Sequence, residues 1–287
     1  MKLCAVTMVY RDYWALSQWY AHYARALGAE NLYIVCHGPD PKVAAACPQA
    51  NVFSVPREDM QHFDSLRSEM LNNLQNGLAQ VYDWVIRTDA DELICLDPQL
   101  FTGFEDLFSQ NSGDALFALG LEVFESPTDS PIPDGTSALN HRRSAVFSGH
   151  YSKAWAVRKR IGLKRHGIKI RSKLVESYPF VMPPGVYLAH LKYANFDVLW
   201  STNEVRKEVA RSKGKGLPGT AWRKADRLSK QKILRATQLP ELPWDQARDQ
   251  AWAALQSPLR DPKNGLVRTR SLRFEARTQL PDWFANL

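Results

Sequence analysis

Strand-like and helix-like patterns alternate along the first hundred residues, and few folds accommodate that alternation. Residues 3–10 are a short β-rich run, and Asp12 opens a helical stretch to residue 27. Its apolar positions (Trp14, Ala15, Trp19, His22, Tyr23, Ala26) recur at spacings of one, three and four. Gly28 follows the last of them, as a helix C-cap should. Residues 31–36 (NLYIVC), 51–55 and 84–88 (WVIRT) read as further strands. Between them, 41–47 holds two helical turns and 63–81 a long helix carried by Leu66, Met70, Leu74, Leu78 and Val81.

Such alternation requires crossover connections, hence an α/β fold with a mostly parallel sheet flanked by helices on both faces. Ligands bind beyond the carboxyl ends of the strands in sheets of this kind. The reading therefore lines up Tyr10-Arg11-Asp12, His37-Gly38, Pro56-Arg57 and Asp89-Ala90-Asp91-Glu92 along one edge. After Pro98 the pattern becomes mixed, with a short helix at 104–109 and a strand at 115–124. Three prolines and a glycine make 126–137 a loop. Strands are expected at 153–157, 168–175 and 186–191, a helix at 197–210, and a basic glycine-rich loop at 213–219. Residues 222–236 and 244–255 read as helices. The expected organisation is one domain over 1–220 and a helical C-terminal extension over 221–287, packed on it.

Of the 287 residues, 45% are hydrophobic and 23% charged, which excludes disordered and fibrous classes. No apolar stretch approaches the length of a membrane span. The N-terminal run reads as a first strand and not as a signal peptide, so a cytoplasmic protein is expected. Cys4, Cys36, Cys47 and Cys95 are too few and too scattered for a disulfide scaffold, and lack zinc-site spacing. Three lie in apolar runs, where a thiol behaves as a small hydrophobe.

The net charge of +7 conceals a polarity along the chain. Residues 1–150 hold 9 basic against 19 acidic side chains, −10; residues 151–235 hold 21 against 5, +16. Carboxylates that hold something cationic and a basic surface that meets something anionic fit this division.

The strongest local signal is RTDADEL at 87–93. Two carboxylates at i and i+2, just past an apolar strand, both face a ligand when the chain kinks there. Few protein ligands of this type, completed by substrate phosphates, suit magnesium or manganese. Four acidic residues in nine (Asp89, Asp91, Glu92, Asp97) follow the strand. The competing reading is a solvated turn.

Several segments resemble the bacterial family-2-like glycosyltransferases of the GT-A fold that decorate cell-surface polysaccharides. WYAHYARALGAENLYIVCHG is similar to their opening helix and second strand, and VYDWVIRTDADELICLDP to their strand into a D-x-D-E motif. HLKYANFDVLWSTNEVRKEVARSKGKG resembles their late His-x-x-Tyr segment and basic helix. The likeness runs in order over residues 1–216. It implies a GT-A-like (Rossmann-like) domain that moves a hexose from a nucleotide-sugar donor, UDP-type, to a glycan or polysaccharide-type acceptor, with an inverting outcome. By resemblance, Asp91 ligates a Mn2+ or Mg2+ ion, Asp89 contacts the ribose or the ion's water shell, and His190 completes the metal or diphosphate site. Tyr10, Arg11 and Arg57 then fall on the nucleotide side, Lys153 and Lys192 on the diphosphate, and Lys213 and Lys215 on a closing loop. The chain departs from the family after its second strand. Cys36-His37-Gly38 stands where members carry an acidic or amide residue for the base or ribose.

An inverting transfer needs a carboxylate near the acceptor hydroxyl. Glu122, Glu125 and Asp129, around the end of the 115–124 strand, are the candidates, with Glu122 and Glu125 on opposite faces. Trp14, Trp19 and Trp84 sit in patterned elements and read as core. Two other classes compete. One is a nucleic-acid-binding protein or metal-dependent nuclease that uses 151–235, although no recognition motif interleaves its basic residues. The other is a non-catalytic protein of the same fold docked peripherally on an anionic inner membrane.

Overall fold

The computed structural model describes residues 1–58, 62–212, 217 and 220–287. The first half runs β1 (Leu3–Val9), α1 (Tyr13–Leu27), β2 (Leu32–His37), α2 (Pro41–Ala46), β3 (Asn51–Val55), α3 (Phe63–Leu78), β4 (Trp84–Arg87), β5 (Glu92–Leu96) and α4 (Phe104–Ser109). Then come β6 (Ala115–Phe117), β7 (Leu119–Phe124), β8 (Ser144–Phe147), β9 (Ala154–Val157), β10 (Gly162–Lys164), β11 (Gly167–Lys169) and β12 (Val186–Tyr193). The chain ends with α5 (Phe196–Arg211), α6 (Thr220–Arg223), α7 (Ala225–Gln238), α8 (Trp244–Leu255), β13 (Leu259–Asp261), β14 (Leu266–Arg268) and β15 (Thr278–Gln279).

Helices flank a six-stranded sheet in the order β3-β2-β1-β4-β9-β6. Its first four strands are parallel, and β9 and β6 pair antiparallel at the far side. Strand β1 alternates between two cores. Leu3, Ala5 and Val9 face the larger one with Leu16, Trp19 and Tyr23 of α1, whereas Cys4 and Val6 face a smaller one with Leu71 and Leu78 of α3. That two-sided burial is why β1 reads as a near-continuous apolar run. Helix α1 begins where the Asp12 carboxylate accepts from Ala15 N at 3.3 Å, and ends at Gly28, φ 84°. All four cysteines are buried free thiols, and burial pushes Cys4 and Cys47 up to about 12.

The run expected as one strand over 115–124 divides at Ala118. Residues 115–117 belong to the first sheet, while β7 joins a second, five-stranded sheet in the order β15-β8-β7-β12-β5. The run is apolar throughout, so no residue type marks the crossing. The strand expected over 168–175 stops at Lys169, and a 3-10 turn takes Ser172–Leu174. The tail holds α7 and α8 and also three short strands: β13 and β14 extend a small antiparallel sheet in the order β10-β11-β14-β13, and β15 pairs with β8. No described helix is long and apolar enough to cross a membrane.

Candidate functional site

Trp19 and Trp84 are buried in the core, and Trp19 Nε1 donates to Thr88 Oγ1 at 2.8 Å. This bond fixes helix α1 to the end of β4, one residue before the acidic turn. Thr88 N still bonds Val6 O at 3.3 Å, after which the chain leaves the first sheet. Glu92 closes the turn: its Oε2 accepts from Asp89 N at 3.0 Å, and its own amide returns a bond to Asp89 O at 3.1 Å. Strand β12 supports the other side, with Leu191 N donating to Asp91 O at 2.7 Å.

Register then determines which side chains meet. Within the second sheet His190 lies opposite Glu92 of β5 and opposite Glu122 of β7. His190 Nε2 stands 3.3 Å from Asp91 Oδ2, and its Nδ1 is 3.8 Å from Glu122 Oε1, beyond hydrogen-bond reach. Lys153 Nζ is 2.7 Å from Glu92 and 3.4 Å from Asp89, and Arg67 donates to the other Asp89 oxygen. Lys232, from helix α7, donates to Glu122 and lies over the rings of Tyr151 and Tyr193. Tyr151 stacks on His190.

The charges are set by this packing. Burial opposes ionisation of Asp89, but Lys153 and Arg67 outweigh it and hold the carboxyl well below the usual range. Burial likewise opposes Asp91, and His190 overcomes it. In return, against a burial effect of opposite sign, Asp91 and Glu122 raise His190. Burial, then Arg206, brings Lys192 down to about 8. Burial, with Asp91 adding to it, lifts Asp12 to about 6.

Both oxygens of Asp89 are thus engaged by cations, whereas Asp91 has one described partner, His190, on one oxygen. A free carboxylate oxygen beside cationic side chains is a hard donor of the kind Mg2+ or Mn2+ shares with a diphosphate. Among the described residues, no group of three or more His, Cys, Asp or Glu side chains is gathered as a self-sufficient metal cage.

At the carboxyl ends of β1 and β2 a pocket of about 240 Å³ is lined by Tyr10, Arg11, Tyr13, His37, Gly38 and Asp40, among others. The Arg57 guanidinium lies 3.3 Å from the centre of the Tyr10 ring and donates to His37 Nδ1 at 2.7 Å. Burial, reinforced by Arg57, brings His37 down to about 4, so its imidazole is a neutral acceptor.

The structure therefore gathers Asp89, Asp91, His190, Lys153 and Glu122 in one cluster, and Tyr10, Arg11 and Arg57 at the neighbouring pocket. Lys192 stands beside the cluster on β12, with its ammonium 5.1 Å from the Tyr193 ring centre. Glu125 and Asp129 are engaged elsewhere. Glu125 accepts from Phe196 N at 2.7 Å and Asp129 from Ser126 N at 2.8 Å, and both lie within 4 Å of the buried Arg142. Lys213 and Lys215 lie outside the described residues. Arg67, Glu92, Tyr151 and Lys232 belong to the cluster without having been singled out from the sequence as site residues. Only Glu92 carried a signal, as part of the acidic run.

No family model matches the chain, and no curated protein matches it. Among solved structures, it is similar to a 4-diphosphocytidyl-2C-methyl-D-erythritol synthase at 18% identity, with 46% of this chain and 65% of that chain covered and a TM-score of 0.30. The chain thus spans just under two thirds of that protein's length. A mannose-1-phosphate geranyltransferase from Thermus thermophilus is 11% identical, with 98% and 74% covered and a TM-score of 0.31. A CMP:2-keto-3-deoxy-manno-octonic acid synthetase complexed with CTP is 13% identical, with 83% and 87% covered and a TM-score of 0.27.

Proposed function

We propose that the chain is a metal-dependent glycosyltransferase that moves a hexose from a UDP-type nucleotide sugar to a glycan acceptor. One observation carries this reading. At the carboxyl end of β4, Asp89 is saturated by Arg67 and Lys153, while Asp91, two residues on, keeps a carboxylate oxygen without a described partner beside His190. Asp91, with His190 beside it, would hold Mn2+ or Mg2+. When bound, such an ion supplies Lewis-acid stabilisation to the diphosphate. The pocket lined by Tyr10, Arg11 and His37 at the ends of β1 and β2, with Arg57 packed on Tyr10, suits the nucleoside, since a planar base can lie near an aromatic ring and a guanidinium.

In the transfer, the acceptor hydroxyl bonds to the anomeric carbon of the donor sugar as the bond from that carbon to the diphosphate oxygen breaks. The hydroxyl proton passes to a carboxylate, and the electron pair leaves with the diphosphate. Of the three candidate bases, Glu122 alone lies in the cluster. Lys192, and Lys153 beyond its pairing with Glu92 and Asp89, would meet the diphosphate charge, and Lys213 and Lys215 remain candidates for closing over it.

The surplus of basic residues in 151–235 fits this reading better than a nucleic-acid surface. Arg158 and Lys159 pair with Asp114, Lys207 with Asp226, Lys232 with Glu122 and Arg235 with Glu275. Thermal shift with UDP, GDP, CDP and dTDP, each with and without Mn2+, tests donor binding. Product analysis with the matching nucleotide sugars then tests the reaction. Release of a nucleoside diphosphate supports sugar transfer; release of pyrophosphate, or indifference to every nucleotide with Mn2+ present, overturns it.

A further inference from the structure

Between residues 209 and 240 the sequence holds nine basic side chains and one acidic. The acidic one, Asp226, is taken by Lys207 of α5. Lys232 and Arg235 are matched by Glu122 and Glu275. Arg223 of α6, with Lys224, Arg227 and Lys230 on α7, is left over. All four are exposed, and none has an ion-pair partner among the described residues.

The packing of α7 decides where these charges point. The helix is buried through Ala225, Ser229 and Ala236, and Asn203 of α5 donates to Ser229 Oγ at 3.2 Å. At 3.6 residues per turn, the opposite arc carries Lys224, Arg227, Leu228, Lys230 and Leu234. No acidic side chain interrupts it. Leu228 is 42% exposed and Leu234 58%. Beside this arc the Lys230 ammonium lies 5.9 Å from the ring centre of the half-buried Trp200 of α5.

A single exposed leucine on a surface needs no explanation. Here two leucines stand among four unpaired cations on one small face, and the two features ask for different things of a partner. A nucleic acid would neutralise the cations and leave the leucines in water. An anionic bilayer meets both needs, because the leucines enter the acyl boundary while the cations stay among the headgroups. An indole beside the arc suits the same depth.

We propose that the outer face of α7, with Arg223 of α6, is a docking surface for an anionic lipid bilayer, on which the helix lies flat. The surface is outside the acidic cluster, so the proposal stands independently of the transfer reading. Since α7 also carries Lys232 to Glu122, docking keeps that cluster at the bilayer surface.

Sedimentation tests the surface with two sets of vesicles at physiological salt. One is equimolar in phosphatidylglycerol and phosphatidylcholine, the other phosphatidylcholine alone. The wild-type chain is expected to sediment with the first and not the second. Lys224→Gln with Arg227→Gln keeps good helix formers and is expected to weaken binding by about tenfold or more. Leu228→Gln with Leu234→Gln should weaken it as much, at an unchanged Tm, because both leucines are exposed. Lys164→Gln with Lys169→Gln removes equal charge from exposed positions on β10 and β11, and is expected to bind as wild type does. A wild-type chain that ignores the anionic vesicles overturns the docking surface, as does binding that the leucine pair leaves unchanged. An equal loss in the β10–β11 pair means attraction by net charge alone and overturns it too. Duplex DNA bound at the same salt, with no vesicle binding and no dependence on the leucines, assigns the face to nucleic acid instead.

Discussion

Tyr151 lies nearly flat on the His190 imidazole, with ring centres 3.7 Å apart and 20° between the planes. A close backbone approach on the neighbouring strand adjoins this contact. A Cβ at Gly120 of β7 would stand 2.3 Å from the Tyr151 carbonyl carbon and 2.5 Å from Ser152 N. Backbone atoms at that distance cannot rotate aside as a flexible side chain would. Gly120→Ala is therefore expected to displace the segment that bears Tyr151 and Lys153, at a cost of about 1–3 kcal/mol. A urea midpoint equal to wild type would contradict the close approach.

Asp91→Asn should leave the fold intact, because the residue lies at a turn, β12 holds its backbone carbonyl, and the amide oxygen can still meet His190 of that strand. The amide ligates a divalent cation far more weakly than the carboxylate, so the Mn2+-dependent part of UDP binding is expected to disappear. Thermal shift with UDP, with and without Mn2+, checks this. A metal-dependent shift of wild-type size in the variant removes Asp91 from the site.

Lys153→Met is expected to destabilise the protein by about 3–5 kcal/mol, because Glu92 is 1% exposed and would keep an unpaired buried charge. Adding Glu92→Gln, which removes that charge, should recover part of the loss. Urea unfolding of the single and double variants measures both effects. A single-variant loss under about 1 kcal/mol would mean that water already screens the pair.

Acid sensitivity should begin above the carboxylate range. His22 bonds Ile94 O at 2.9 Å, and burial lowers it from 6.5 to about 4. Its neutral form is the one that folds, while the unfolded chain takes up a proton near 6.5. Its contribution is therefore complete above pH 6.5 and is lost as pH falls toward 4, by at most about 3 kcal/mol. His37, also brought down to about 4, acts in the same direction. Urea midpoints at pH 7.5, 6 and 4.5 should decline in that order, and His22→Gln should flatten the decline.

The parallel half of the fold was legible because its strands are buried on both faces and its helices carry apolar stripes and caps, as Asp12 and Gly28 do for α1. The sheet change at Ala118 was not, since both sheets demand the same apolar residues there. Strands β13, β14 and β15 are two or three residues long, too short for any period to register. Within the cluster, Asp89, Asp91, His190 and Lys153 stood out through motif, resemblance and charge. Lys232 did not, because a lysine on a basic helix looks the same whether it meets water or a buried Glu122. Tyr151 depends on a loop meeting β12, which no local pattern records.

The fastening of β11 by β14 also bears on the order in which the protein acquires its working parts. During synthesis the acidic turn and the β10–β11 hairpin both leave the ribosome before residues 266–268, which close the sheet beside the hairpin. Until those residues arrive, Asn72, Arg87 and Gln75 hold the hairpin, all from its other side. A nascent chain with its parallel sheet already formed would thus hold the hairpin on one side alone, and the second side closes only once β14 is made.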